Sequence, residues 1–282
     1  MTKPTREQIK EMADLVADRS IREEGSLSPV IDVYTKEIQA AQDFYLDVAY
    51  DLNRLALAAW SDVDAGENKS DLLPVVNRIL LRAINGFGGA ITLTRRGMDI
   101  EAQTLARTIY ECAFWLGYFG AEPDEALSNF ETENRRSILA HNVLLGKQGV
   151  IPEEIATASA EALETLKRIK VPGMEKMAGK GDLASVFPFY KFLCGMAAHS
   201  SMASIDRLLD EPIAGKLSHA FDFTGKRLPE TVGFAITGLL AALVKWQAIT
   251  KVPLDEAVLL RVDYEVPLMF AEQDRRDRPK NA

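Results

Sequence analysis

Two oppositely charged residues share a face of one strongly apolar segment. Arg107 precedes Glu111 by four residues, so their side chains can pair on one face of a helix, with Gln103 one turn earlier. The stretch from 101 to 120 is apolar nearly all round, which predicts a central, buried helix. Burying such a pair costs desolvation free energy that is recovered only with good geometry. Either Arg107 binds an anion while Glu111 acts as a base or orients it, or the two charges simply neutralise each other.

A second polar group lies in the apolar segment from 187 to 201. Tyr190 and Cys194 share one helical face, and His199 lies near the predicted helix end, where the helix dipole favours a charged imidazole. In one interpretation His199 is the general base of a small site that also contains Tyr190 and Arg107. In the other it is a core histidine that hydrogen-bonds a carboxylate such as Glu111.

A third motif pairs Arg136 with His141, five residues later. A histidine that moves protons and an arginine that stabilises the pentavalent phosphate are the components of metal-independent RNA cleavage. The alternative is a solvated, charged helix face.

The common metal and nucleophile motifs do not occur. The histidines His141, His199 and His219 lie in separate segments, and there is no HExxH, CxxC or GxSxG sequence. We therefore predict neither a metal site nor a cofactor. Gly86, Gly88 and the residue after it follow no predicted strand, so they indicate close helix packing or a kink and not a phosphate-binding loop.

The composition is that of an acidic globular protein. The chain has 282 residues, with 33 Lys and Arg against 41 Asp and Glu, for a formal net charge of −8. This balance argues against nonspecific DNA binding, although a local basic groove for RNA or a small ligand stays open. Two widely separated cysteines, Cys112 and Cys194, suit buried thiols in a reducing cytoplasm. The apolar run 231–244 is too short for a typical membrane span, which needs about 18 residues or more, so we predict a core helix and no membrane association.

Helical periodicity runs through almost the whole chain. We predict an all-α bundle of about ten helices, with a long helix near the N-terminus. Residues 1–65 are predicted to form an N-terminal helical arm packed on the core, 66–275 an all-helical core domain and 276–282 a frayed tail. Residues 171–182 are predicted to be a flexible loop, and 218–229 a short irregular hairpin.

The long N-terminal helix carries a heptad seam. Its apolar positions alternate at spacings of four and three residues: Tyr34, Ile38, Ala41, Tyr45, Val48, Leu52, Leu55 and Ala59. Such a seam predicts lengthwise packing on a partner helix, either inside the chain or in a second copy. We expect a homo-oligomer, most simply a homodimer.

Two motifs in this order resemble a known family. Arg107 followed by Glu111 comes first, and Tyr190, Cys194, His199 and Ser200 follow downstream. Over about residues 65–210 the chain looks like the bacterial all-helical family called domain of unknown function 5677. The resemblance implies a helical fold and the motif residues Arg107, Glu111, Tyr190 and His199, but no established activity.

The family in turn resembles, more distantly, the HEPN domains, which include ribonucleases and RNA-binding modules of toxin–antitoxin and phage-defence systems. The helix ending at His199 has Lys191 and no arginine upstream, which departs from the HEPN Arg-x4-6-His pattern. We therefore expect a non-catalytic module that oligomerises or senses a ligand or partner, with a metal-independent ribonuclease as the alternative.

Overall fold

The computed structural model describes residues 27–28, 43–63, 72–197 and 227–277. Within these ranges there are nine helices and no strand, which confirms the all-α prediction. The helices are α1 (Asp43–Ser61), α2 (Leu72–Arg95), α3 (Asp99–Ala121), α4 (Pro123–Lys147), α5 (Glu153–Lys167), α6 (Met174–Lys180), α7 (Phe187–Met196), α8 (Leu228–Thr250) and α9 (Glu256–Asp277).

Helix α3 is the centre of the bundle. It packs most extensively against α2 and α8, and Ile109, Tyr110 and Phe114 on it are completely buried. Helix α8 is the one described helix long and apolar enough to cross a membrane by length and composition. Most of its residues are buried against α2, α3 and α9, which is the packing predicted for a core helix.

Glycines bring α2 close to α3. A Cβ atom on Gly89 would lie 2.8 Å from Leu105 Cδ1, and one on Gly86 would lie 3.4 Å from Ile109 Cγ1. The first distance is shorter than any normal contact, so a larger residue at Gly89 would force the Leu105 side chain to move. Helix α2 continues unbroken through these glycines, as the packing interpretation predicted.

The described half of the heptad seam is covered inside the chain. Val48, Leu52, Leu55 and Ala59 are all buried, and α1 packs on α2, α8 and α9. Its earlier positions, 34 to 41, lie outside the described residues. The described half therefore leaves no exposed seam for a second copy, and the homodimer stays a prediction.

One predicted loop is wrong. Residues 174–180 form helix α6, and Met177 and Ala178 on it are buried. The glycines that suggested a loop include Gly181, where an added Cβ would lie 2.7 Å from the carbonyl carbon of Gly117 on α3. Direct backbone contact with α3 therefore overrides the local preference for a loop. Positions 1–26 of the predicted N-terminal arm, positions 218–226 of the predicted hairpin and positions 278–282 of the predicted tail lie outside the described residues. The last two hairpin positions, Leu228 and Pro229, are helical instead and begin α8.

Candidate functional site

Helix α7 lies antiparallel to α3, and the contacts between them follow one register. Positions 104, 107, 111 and 114 along α3 meet positions 197, 194, 190 and 187 along α7. At one end, Thr104 Oγ1 donates a hydrogen bond to the Ala197 carbonyl at 3.0 Å. At the other, the rings of Phe114 and Phe187 lie 6.0 Å apart. We call these residues the α3–α7 clasp: Thr104, Arg107, Glu111, Phe114, Phe187, Tyr190, Cys194 and Ala197.

Arg107 joins the two helices through a single guanidinium group. Its Nη2 donates to Glu111 Oε1 at 2.7 Å within α3, and its Nε donates to Cys194 Sγ at 3.3 Å across to α7. Its Cζ also lies 5.5 Å from the centre of the Tyr190 ring, within cation–π range. Partial burial lowers the pKa of Arg107, but the Cys194 hydrogen bond and the Glu111 charge outweigh it and hold the pKa above its ordinary value. Arg107 is therefore permanently charged.

Tyr190 is a neutral hydrogen-bond donor in this cluster. Its hydroxyl donates to Glu111 Oε1 at 3.2 Å, the same oxygen that Arg107 binds, and the residue is only 8% exposed. Its ring meets Phe114 edge-on at 5.4 Å. Burial first, then the Cys194 contact and the nearby Glu111 charge, raise the pKa of Tyr190 to about 12. Tyr190 thus stays protonated at neutral pH and cannot serve as a base there.

One edge of the clasp reaches solvent. The side chains of Arg107 and Glu111 are each 26% exposed, so the pair is neither sealed in the core nor freely hydrated. The structure brings together three of the four predicted site residues: Arg107, Glu111 and Tyr190. The fourth, His199, lies outside the described residues. Sequence reasoning placed Cys194 in the motif but gave it no role, and its position one turn after Tyr190 was the available signal.

Gln103 does not belong to the clasp. Its Nε2 donates instead to Thr231 Oγ1 on α8 at 3.1 Å, and both residues are completely buried. These three polar residues, which recur every four positions on α3, therefore contact two different helices. Gln103 contacts α8, whereas Arg107 and Glu111 contact α7.

The comparisons with known proteins concern the part of the chain that carries the clasp. A family model described as "Family of unknown function (DUF5677)" matches residues 74–216. The chain belongs to this family. No curated protein and no solved structure matches the chain. The family match spans every clasp residue and also position 199, while the HEPN likeness stays a prediction.

Within the DUF5677 match, Arg136 has a structural partner that the sequence did not reveal. Its Nη2 donates to the Leu166 carbonyl at 2.7 Å and also to the Ile169 carbonyl, both at the C-terminal end of α5. Its Nη1 pairs with Glu133. The guanidinium therefore satisfies carbonyls that the end of α5 leaves open, and it joins α4 to α5 as a hairpin. His141 is exposed on α4, which agrees with the alternative interpretation of this motif as a solvated, charged helix face.

The remaining titratable groups of this DUF5677 protein offer no metal site in the part that the structure describes. No three His, Cys, Asp or Glu side chains gather there as a candidate metal-binding group. Burial raises the pKa of Cys112 to about 12, with Arg82 opposing and Glu111 adding to the effect. A thiol with such a pKa is protonated at neutral pH and is a poor nucleophile.

Proposed function

We propose that this DUF5677 protein is a non-catalytic helical module of the cytoplasm that senses a ligand or a protein partner through the α3–α7 clasp. The observation that carries the proposal is the closed set of contacts among Arg107, Glu111 and Tyr190. The cation, the carboxylate and the hydroxyl are already bonded to one another. A substrate would have to compete with these contacts for Arg107 Nη2 and Glu111 Oε1, the atoms that make them.

The polar contacts of the clasp each contribute little free energy, as in a switch and unlike a rigid core. A partly exposed ion pair contributes about 0–1 kcal/mol, because water screens it and side-chain entropy opposes it. The other polar contacts include a weak N–H to sulfur bond and one hydrogen bond to a helix-terminal carbonyl. A ligand or partner that binds one position of α7 more tightly can therefore shift the equilibrium between a docked and a released α7.

The alternative function is a HEPN-like, metal-independent ribonuclease with His199 as general base and Arg107 as phosphate clamp. The partial exposure of Arg107 supports it. Against it, Arg107 Nη2 already pairs with Glu111 Oε1 at 2.7 Å, and the charge of that carboxylate would repel a phosphate bound beside it. Stress response or phage defence is the setting that a HEPN relationship would imply for either function.

Incubation of the purified protein with total RNA in the absence of metal separates the two functions. The set consists of wild type, His199→Ala and Arg107→Met, with Glu101→Gln as a control at an exposed position on α3. We expect no cleavage by any of them. Cleavage by wild type and the control that disappears in both other variants would refute the module and establish the ribonuclease. Cleavage that persists equally in all four would identify a contaminating nuclease.

Hydrogen exchange tests the sensing element itself. Glu111→Gln removes the ion pair but keeps an acceptor for Tyr190, and Glu101→Gln is the control for charge. We expect faster amide exchange in α7 for Glu111→Gln alone, with little change in the buried turns of α3. Equal exchange in both variants would show that the clasp does not hold α7 in place. Light scattering on the same samples tests the expected homo-oligomer.

A further inference from the structure

Helix α2 concentrates positive charge in an acidic protein. Between positions 72 and 98 there is no Asp or Glu, although the chain as a whole carries a formal charge of −8. Arg78 and Arg82 lie four residues apart on one face of α2, and both are exposed. Within the described part of the chain neither has a hydrogen bond or an ion pair. Like charges at this spacing repel one another, so this face favours a bound anion.

The two arginines line a groove between α2 and α3. The groove has a volume of about 470 Å³, and its lining includes Arg78, Arg82 and Asn85 from α2 with Leu105 and Thr108 from α3. Arg82 lies close enough to α3 for its charge to lower the pKa of Cys112, although burial has the stronger, opposite effect on that pKa. The volume is within the range of small-molecule sites, about 300–1,000 Å³.

The lining matches a ligand with a charged head and an apolar body. Two guanidinium groups one helical turn apart can bind the same phosphate from two sides, and arginine suits phosphate because its donors form a planar fork. Asn85, three residues after Arg82, lines the same groove and adds amide donors. Leu81 and Leu105 line the groove with apolar side chains, and Gly86 lines it without one.

We infer that this groove binds the phosphate monoester of a small organic molecule with an apolar portion. The inference rests on the proposed function, for which it supplies the class of ligand. A polyanion such as RNA fits less well, because two arginines cover only a short length of backbone and the chain's negative charge repels the rest.

The groove and the clasp use interleaved residues of α3. Leu105 and Thr108 line the groove, whereas Thr104 and Arg107, each directly before one of them in sequence, belong to the clasp. A ligand that contacts Leu105 and Thr108 therefore touches the same two turns of α3 that hold α7. This places the sensed ligand next to the element proposed to respond.

Calorimetric titration with 1-naphthyl phosphate tests the inference, since this probe combines a phosphate monoester with an apolar ring. The comparison ligands are 1-naphthol, inorganic phosphate and a single-stranded RNA oligonucleotide. The groove variant is Arg78→Gln with Arg82→Gln. The matched control, Arg135→Gln with Arg168→Gln, removes the same charge at exposed positions elsewhere.

We expect wild type and the control variant to bind 1-naphthyl phosphate more tightly than they bind 1-naphthol or inorganic phosphate. The groove variant should bind it at least about tenfold more weakly, as expected for the loss of charge-assisted hydrogen bonds. Equal binding by both double variants, or no saturable binding by wild type at millimolar probe, would overturn the inference. If the RNA oligonucleotide bound more tightly than 1-naphthyl phosphate, and did so through Arg78 and Arg82, the groove would be a nucleic-acid site instead. A third outcome is that the titration shows no binding while Glu111→Gln still speeds amide exchange in α7. That combination would refute this class of ligand alone and leave the proposed function standing.

Discussion

The Nε of Arg107 on α3 donates a hydrogen bond to the Sγ of Cys194 on α7, at 3.3 Å. The same guanidinium binds Glu111 on its own helix, so an intrahelical ion pair and an interhelical contact share one side chain. Tyr190 closes the set by donating to the carboxylate oxygen that Arg107 also binds. Loss of any one of these groups therefore changes the surroundings of the others, and their contributions to stability should not be additive.

A double-mutant cycle measures the strength of the Arg107–Glu111 pair. We expect Arg107→Met and Glu111→Gln to show a coupling free energy of about 0.3–1 kcal/mol by urea denaturation, because the pair is partly exposed. The coupling should fall in 1 M salt, which screens exposed charges. A salt-independent coupling of about 3 kcal/mol or more would show instead that the pair is fully desolvated.

Alkaline pH should weaken the fold through Tyr190. Its pKa is raised to about 12 in the folded protein, above the ordinary value of about 10 in the unfolded chain. The folded state therefore holds the proton more tightly, and the stabilisation is complete below about pH 10 and is lost as the pH rises toward 12. We expect Tyr190→Phe to lower stability at pH 8 by about 1 kcal/mol, through the lost hydrogen bond.

Urea denaturation of both proteins between pH 8 and pH 11 checks this prediction. Tyr190→Phe should lose stability less steeply than wild type above pH 10. Other buried groups such as Cys112 also titrate there, so only the difference between the two proteins reports on Tyr190. Parallel curves would mean that Tyr190 ionises in the folded protein as it does in the unfolded chain.

Sequence patterns predicted the features that depend on local periodicity. The apolar surroundings of Arg107 and Glu111 indicated a central helix, and α3 is central. Helical spacing also paired Arg107 with Glu111 and Tyr190 with Cys194, and the family resemblance supplied the link between the two segments. The features that were missed depend on contacts between distant segments. Arg136 lies on an ordinary charged face until α5 folds back beside it, and Arg78 and Arg82 line a groove only when α3 lies beside them.

The contact between α3 and α6 should depend on one glycine and not on its neighbour. In Gly181→Ala the new Cβ would lie 2.7 Å from the backbone of Gly117, so the helices must separate. Overpacking of this kind costs about 1–3 kcal/mol. The matched control is Gly179→Ala within α6, where an added Cβ meets nothing within 4 Å. It should be neutral or stabilise by up to about 1 kcal/mol, because alanine favours the helix.

Thermal and urea denaturation of the two alanine variants decide this point. A loss of stability in Gly181→Ala with none in Gly179→Ala would confirm the close approach of the backbones. Similar stability in both variants would show that α6 can move away from α3 without cost.

Arg136 should stabilise the α4–α5 hairpin and have no part in RNA cleavage. Arg136→Met removes the donors to the Leu166 and Ile169 carbonyls at the end of α5 while keeping most of the apolar stem. Hydrogen bonds from a cation to helix-terminal carbonyls contribute about 1–2 kcal/mol. We therefore expect faster amide exchange and faster proteolysis around residues 160–170, with the α3 core unchanged.

The control for this variant is Arg135→Gln, which changes the exposed neighbouring arginine. It should leave exchange and proteolysis in α5 as in wild type. If both variants loosen α5 equally, net charge and not the carbonyl contacts of Arg136 holds the hairpin. If Arg136→Met instead abolished an RNA cleavage that His141→Ala also abolished, α4 would carry a catalytic site and the structural role assigned to Arg136 would be wrong.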